Sequence, residues 1–449
     1  MGEDKVSDEK ILKIIKTIAN KVKDPEYVKK ISCEKSNNIV IDGKSIIAWD
    51  DLALADGYPA LSVLFGELNN LFPNEDWDLI GHQYMLEIQK SLEERGIDSL
   101  SLFGGACGVG MSAYSLSCNG KRYKKFINSI NEFIIGYAPT VLRMLTSRQM
   151  DVRMNDYDVI QGLAGTGRYL LFFKDDPEIE NIIKDILKYM ISLTENINLW
   201  GHSVPKWYIT QQNQFIKSDK EIYSKGSFNF GMSHGITGPL SFMAIALING
   251  IEIYGQKEAM EKIICTLNLF KYNLEGTIYW PGRIKFEEFI TKTCSNTRQR
   301  ASWCYGSPGI ARAIFLSGKA LNNEEYKNIA IKSLDSLCSL PEEFWFLDSP
   351  TFCHGYAGLL RIINCMYIDT GLVNFKKHGD KILNKLLSFY NKDAPFGFFN
   401  IDMSDPQKSN TKKTFNTCGL LDGTTGVILT ILGIINPNKT NWDSIFLIN

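Results

Sequence analysis

Short, almost wholly apolar stretches alternate along this chain with longer amphipathic ones. The apolar stretches last about three helical turns and lack a polar face, which predicts helices that are buried on most sides. The amphipathic segments 74–96, 175–196 and 323–340 place apolar residues at i, i+3, i+4 and i+7, which predicts helices with one face in solvent. Each of the three opens on Asn or Asp with Glu close behind, a typical start of a helix.

A glycine motif precedes each apolar stretch. The pattern G-x-x-G, or a near copy, occurs seven times, and Ala60 replaces the second glycine of the first copy. The first glycines of the copies are Gly57, Gly105, Gly162, Gly235, Gly306, Gly355 and Gly423. The repeating unit of motif, inner helix, turn and outer helix has the length of a helix pair.

Seven such pairs predict an all-α fold, an α/α toroid in which seven helical hairpins form a double ring. An open solenoid would need polar caps at its ends, and neither end of the sequence shows one. The alternative is that the glycines only let helices pack closely, without ring symmetry.

Two segments interrupt the repeat, just before the fourth and fifth motifs. Residues 198–230 are aromatic and polar without a helical period, and residues 276–290 are predicted to form a hairpin that turns at Pro281–Gly282. We expect both to project as short β insertions from a single domain that covers 1–449. They are either plain surface elaborations or a surface that holds a substrate.

Charge and cysteine content narrow the function classes. The chain has 49 Lys and Arg against 50 Asp and Glu, so it lacks the basic field that binds nucleic acid or acidic lipid. Its charged start does not resemble a signal peptide, and its longest apolar runs are too short to span a bilayer. We therefore expect a cytoplasmic protein whose ten cysteines are reduced thiols.

Candidate chemistry gathers directly before the motifs, at positions that would converge if all inner helices start at one rim. These residues are Asp158, His234, Cys304, Tyr305, Cys353 and His354. Cys304, Cys353 and His354 form a Cys₂His set, which suits one Zn²⁺ per chain with a fourth position open for substrate. The alternatives are that Cys304 is only a buried thiol and that His234 is a structural histidine.

This ligand set favours a particular reaction. Two thiolates neutralise the charge of Zn²⁺ and make it a poorer Lewis acid, so hydrolysis by a bound water is disfavoured. A thiol ionises with little help, and its thiolate is the reactive form. The sequence therefore predicts a site that activates the thiol of another molecule.

The motifs also carry a family resemblance. The segments "YDVIQGLAG", "GMSHGITG", "SWCYGSPG" and "FCHGYAG" resemble those of lanthionine synthetase C-like cyclases, and the resemblance spans nearly the whole chain. It implies an α/α toroid with zinc at Cys304, Cys353 and His354. It also implies the activity, in which a peptide cysteine adds to dehydroalanine or dehydrobutyrine and closes a thioether ring.

Residues that match Asp158, His234, Arg300 and Tyr305 line the site in such enzymes. We expect His234 to transfer the proton that the enolate needs, because an imidazole titrates near neutral pH. We expect Asp158 to orient that ring through a hydrogen bond. Arg300 is expected to stabilise the developing negative charge.

The resemblance also implies partners. The substrate would be a dehydrated precursor peptide with a leader and a core, made by a separate dehydratase, and both enzymes are expected to join a transporter in a complex at the membrane. Within 198–230, Trp207, Tyr208 and Phe215 with amide side chains between them predict a binding site for the leader.

Three alternatives remain at this stage. A relative that adds glutathione or another thiol would share the core motifs. A subunit of a protein prenyltransferase type would need a basic diphosphate pocket, for which the sequence offers no cluster. A scaffold with structural zinc would leave His234 and Arg300 without a role.

Overall fold

The computed structural model of the protein describes residues 7–148, 150–403 and 411–449. These residues form 18 α-helices: α1 (Asp8–Lys21), α2 (Pro25–Ser32), α3 (Tyr58–Leu71), α4 (Trp77–Arg95), α5 (Ala106–Leu116), α6 (Lys124–Ser147), α7 (Met154–Tyr157), α8 (Leu163–Leu170), α9 (Pro177–Leu193), α10 (Lys217–Ile222), α11 (Thr237–Ile248), α12 (Gln256–Leu269), α13 (Phe286–Thr291), α14 (Ser307–Ala320), α15 (Glu324–Ser339), α16 (Tyr356–Thr370), α17 (Val373–Ser388) and α18 (Thr424–Ile435). None of the described helices is long and apolar enough to cross a membrane.

The seven apolar stretches are inner helices that begin at the motif glycines. Six of these glycines lie directly before a helix, and they are Gly57, Gly105, Gly162, Gly306, Gly355 and Gly423. Gly235 lies one residue further out, because α11 follows Ile236. The predicted burial on most sides is confirmed, and in α8 every residue is buried.

The three amphipathic segments are outer helices, as predicted. They form α4, α9 and α15, each with a buried face and an exposed one. The side chains of Asp176 and Asn323 accept backbone N–H groups at the starts of α9 and α15. The Asp76 side chain makes no such bond at the start of α4.

Close backbone approach explains why the motif needs glycine. At Gly306 the φ angle is +127°, and a Cβ atom there would lie 1.9 Å from the Arg300 carbonyl oxygen. A Cβ atom at Gly309, the second glycine of the same copy, would lie 2.3 Å from the Trp303 carbonyl oxygen. The motif therefore packs the first turn of an inner helix onto the loop that precedes it.

The described strands are short and form five two-stranded antiparallel sheets. They are β1 (Ile39–Ile41), β2 (Lys44–Ile46), β3 (Asn196–Leu199), β4 (His202–Pro205), β5 (Ser227–Asn229), β6 (Tyr272–Leu274), β7 (Thr277–Tyr279), β8 (Arg283–Lys285), β9 (Asn400–Met403) and β10 (Lys412–Phe415). The pairs are β1–β2, β3–β4, β5–β8, β6–β7 and β9–β10.

The hairpin predicted for 276–290 is wrong. The turn lies between β6 and β7, where Glu275 and Gly276 have φ angles of +52° and +85°, the conformation that a two-residue hairpin turn requires. β8 instead pairs with β5 of the other insertion, so that Asn229 lies opposite Arg283. The residues after β8 form the helix α13.

The chain divides into two compact units. Unit 1 contains Met1–Ser99, Phe103–Asn131 and Leu347–Trp442, and unit 2 contains Leu100–Leu102, Glu132–Phe346 and Asp443–Asn449. Inside unit 1, α18 packs against α1, α3 and α16, so the last motif lies beside the first. Inside unit 2, α11 packs against α8 and α14. The single domain over 1–449 stays a prediction.

Candidate active site

Backbone hydrogen bonds in unit 2 join the loops that precede α8, α11 and α14. The amide of Val159 donates to the carbonyl of Ser233 at 3.1 Å, and the amide of Met232 donates to the carbonyl of Cys304 at 2.9 Å. Three of the loops that carry predicted site residues are thereby held side by side.

The first pair that these loops bring together is His234 and Asp158. His234 Nδ1 lies 2.6 Å from Asp158 Oδ2. The buried Asp158 carboxylate also accepts the backbone N–H groups of Gln161 and Gly162, both at 2.7 Å. A carboxylate fixed by two donors accepts a third from Nδ1–H, which leaves Nε2 of His234 as the nitrogen for proton transfer.

Tyr305 lies beside the paired strands β5 and β8. Its hydroxyl oxygen accepts a hydrogen bond from Asn229 Nδ2 at 2.9 Å, and Arg283 also bonds to it. Burial raises the pKa of Tyr305, although the Arg283 guanidinium opposes that shift. Arg283 is itself held by Asp219, with Nη1 and Oδ2 2.6 Å apart.

Asn229 and Arg283 were not predicted to belong to the site. They come from separate insertions and meet as a cross-strand pair. The sequence carries no signal for this pairing, because three-residue strands show too little alternation to be matched. Arg300, which was predicted, donates its Nε–H to the Phe346 carbonyl at 3.2 Å.

The three predicted zinc ligands come from both units. Cys304 is buried in unit 2 with its Sγ 3.6 Å from Ser302 Oγ, whereas Cys353 and His354 belong to unit 1. The ten cysteines, all within the described residues, are thiols and not disulfides. Within either unit, the described residues include no group of three or more His, Cys, Asp or Glu side chains placed to hold a metal ion.

The surroundings of His354 fit a metal ligand. Nε2 of this buried ring lies 3.2 Å from Asp422 Oδ1 and 3.5 Å from Asp402 Oδ2. A histidine that binds a metal through one ring nitrogen usually donates the other N–H to a carboxylate, which fixes the ring. Neither carboxylate was predicted to belong to the site: Asp422 directly precedes the motif glycine Gly423, and Asp402 lies in β9.

These two carboxylates also line a cavity of about 200 Å³ within unit 1, together with Asp56. Apolar side chains of the β1–β2 and β9–β10 hairpins form part of its wall, among them Ile46 and Phe415. Burial raises the pKa of Asp56 to about 7, and the nearby Asp50 and Asp422 carboxylates add to the shift.

The fold and the site define an all-α protein with an oriented histidine and with cysteine thiols just before buried helices. Residues 48–447 match the model of the lanthionine synthetase C-like protein family, and the chain belongs to that family. The nisin biosynthesis protein NisC of Lactococcus lactis subsp. lactis is 27% identical over 359 residues, which cover 78% of this chain and 82% of that protein.

A solved structure titled nisin cyclase aligns with a TM-score of 0.79 at 23% identity, over 98% of both chains. This likeness confirms the predicted fold class, the helical α/α toroid. The recognition of the family is confirmed as well, and so is the activity, that of a lanthionine synthetase that closes thioether rings.

Proposed function

We propose that the chain is a zinc-dependent cyclase that closes lanthionine and methyllanthionine rings in a dehydrated precursor peptide. The observation that carries the proposal is the His234–Asp158 pair, hydrogen-bonded on a loop that is joined to the loop of Cys304. The match to a protein of nisin biosynthesis favours a peptide substrate over glutathione.

Cys304, Cys353 and His354 would hold the zinc, because two thiols and an imidazole are the donors that zinc prefers. With Asp422 Oδ1 3.2 Å from Nε2, Nδ1 is the nitrogen of His354 that would hold the metal. Zinc held there would supply Lewis acidity, which lowers the pKa of a peptide thiol and so favours the nucleophilic thiolate at neutral pH.

The remaining chemistry falls to the side chains of this protein. When the thiolate sulfur bonds to the β carbon of the dehydro residue, the carbon–carbon π electrons move towards the α carbon and form an enolate. Nε2 of His234 accepts the proton that the peptide thiol loses, and the resulting imidazolium donates this proton to the α carbon, so the step balances. Asp158 stabilises the imidazolium and keeps its ring in place.

Tyr305 and Arg300 complete the proposed site. The Tyr305 oxygen accepts from Asn229, so its own O–H hydrogen remains to be donated towards the enolate. The guanidinium of Arg300 would stabilise the negative charge that develops on the enolate oxygen.

The reaction also requires other proteins that prepare its substrate. Dehydroalanine and dehydrobutyrine must be supplied by an enzyme that removes water from Ser and Thr, so a separate dehydratase would act on the same precursor first. We propose that both enzymes work in the cytoplasm on a precursor with a leader and a core, in a complex with a transporter at the membrane.

A His234→Asn variant tests the proposal. We expect it to keep its fold and zinc content but to lose ring closure, since it removes the proton donor and no ligand. Closure is followed on a dehydrated precursor by thiol alkylation and mass spectrometry. His82→Asn, which changes an exposed histidine on α4, is the matched control and should cyclise normally. Normal ring closure by His234→Asn would show that His234 has only a structural role.

A further inference from the structure

The first insertion brings one aromatic ring to the proposed proton donor. The Phe215 ring lies edge-on to the His234 imidazole, with centroids 4.9 Å apart and planes at 76°. Phe215 is 41% exposed, whereas Trp207 and Tyr208 are 1% and 5% exposed. The prediction that all three rings contact the precursor is therefore wrong for Trp207 and Tyr208, because their side chains fill the core of the insertion.

Three of the four amide side chains that precede Phe215 make hydrogen bonds within the protein. Gln214 Nε2 donates to the Ile209 carbonyl at 3.2 Å and to Ser227 Oγ at 3.0 Å. The neighbouring Asn213 Nδ2 donates to Asp151 Oδ1 at 2.8 Å and to the Val152 carbonyl at 3.2 Å, and Gln211 Nε2 bonds to the Lys220 carbonyl. These bonds fix the loop that presents Phe215.

The reaction places a second carbon of the substrate near this ring. The α carbon that receives the proton must come within hydrogen-bonding reach of His234, and the β carbon is one covalent bond away. Dehydroalanine carries only hydrogen on that carbon, while dehydrobutyrine carries a methyl group. An apolar ring packed against the imidazole is within van der Waals reach of that substituent.

We infer that Phe215 contacts the β-carbon substituent of the dehydro residue and is a specificity-determining residue of the cyclisation, favouring dehydrobutyrine. The inference rests on the proposed function. Because the hydrogen bonds of its own amide side chains hold the loop, the Phe215 ring is already in place when the substrate binds. Contact with the methyl group therefore loses no free energy to ordering of the loop.

Two matched peptides test the inference, each with one cysteine and one dehydro residue, dehydroalanine in one and dehydrobutyrine in the other. Phe215→Ala should lower kcat/KM for the dehydrobutyrine peptide about tenfold more than for the dehydroalanine peptide, the usual effect of losing one apolar contact. Phe215→Leu should restore most of the preference. Ile222→Ala, which removes an exposed apolar side chain of the same insertion, should leave both values unchanged.

Zinc content and melting temperature are measured for each variant, so that a folding defect is not mistaken for a change in specificity. An unchanged ratio of the two kcat/KM values in Phe215→Ala overturns the inference, whether both values stay the same or fall together. If the wild-type protein closes neither ring, the proposed function fails and the inference fails with it.

Discussion

At the scale of single residues, the Asp158 carboxylate decides how His234 can act. Its three hydrogen bonds go to two backbone N–H groups at the start of α8 and to Nδ1 of the ring. The backbone donors hold the carboxylate whether or not the imidazole is protonated. The negative charge therefore stays in place to stabilise an imidazolium during proton transfer.

An Asp158→Asn variant should lose about 10²- to 10⁴-fold in the rate of ring closure. The asparagine oxygen can still accept the two backbone N–H groups, which leaves its NH₂ group facing His234. Nδ1 must then accept, so the proton sits on Nε2 of a neutral ring that has lost its stabilising charge.

Single-turnover rates on a dehydrated precursor measure the loss, and circular dichroism checks the fold. Asp185→Asn, an exposed carboxylate on α9, is the control. A rate within a few-fold of the wild type would show that the Asp158 charge is not used.

At the scale of elements, the candidate site residues lie in loops that precede inner helices. The motif glycines let these helices pack closely against the loops. At Gly309 an added Cβ atom would meet the Trp303 carbonyl oxygen at 2.3 Å and Met232 Cβ at 2.8 Å. Both neighbours belong to site loops, one just before Cys304 and one just before His234. Room for a methyl group can come only from moving α14 away from them.

Gly309→Ala should therefore destabilise the protein by about 1–3 kcal/mol, the usual cost of overpacking a tight interface, despite the better helix propensity of alanine. Gly379→Ala is the control. It lies in the outer helix α17, where the nearest atom to an added Cβ is Leu360 Cδ1 at 4.0 Å, so it should be neutral or stabilising. Thermal melting compares the two, and equal melting temperatures would contradict the role of the motif.

Elements and motifs could be predicted from the sequence to different extents. The seven inner helices and the three amphipathic outer ones follow from long periodic patterns and from glycines at fixed positions. The Asp158–His234 pair could be anticipated because both residues stand before a motif. The partners of Tyr305 could not, since Asn229 and Arg283 meet through two three-residue strands that are far apart in sequence. The hairpin was misplaced for a local reason, because Pro281–Gly282 gives a stronger turn signal than Glu275–Gly276.

At the scale of the whole molecule, the last motif packs against elements from the first part of the chain. In unit 1, the amide of Leu420 donates to the carbonyl of Ala55 at 2.7 Å, which joins the loop of the seventh motif to that of the first. α18 also packs against α1. The inner helix of the seventh motif is therefore partnered by a helix near the start of the described residues and not by an outer helix that follows it. The pattern alone could not reveal this, because α1 stands outside the repeat.

Zinc content is the property that tests the proposed ligand set as a whole. We expect one zinc per chain in the wild-type protein and none, or only a trace, in Cys304→Ala and Cys353→Ala, because a site with two protein ligands binds zinc weakly. Asp422→Asn should keep zinc but bind it about 10- to 100-fold less tightly, since it removes the negative charge that lies 3.2 Å from His354 Nε2.

Metal analysis measures the content, and competition with a chelator measures the affinity. Cys265→Ala, an exposed thiol on α12, is the control for the loss of a cysteine and should bind zinc as the wild type does. Removing zinc should also lower the melting temperature of the wild type, because a ligand that binds only the folded state stabilises it. Full zinc content in both Cys304→Ala and Cys353→Ala would rule out this ligand set, whatever their activity.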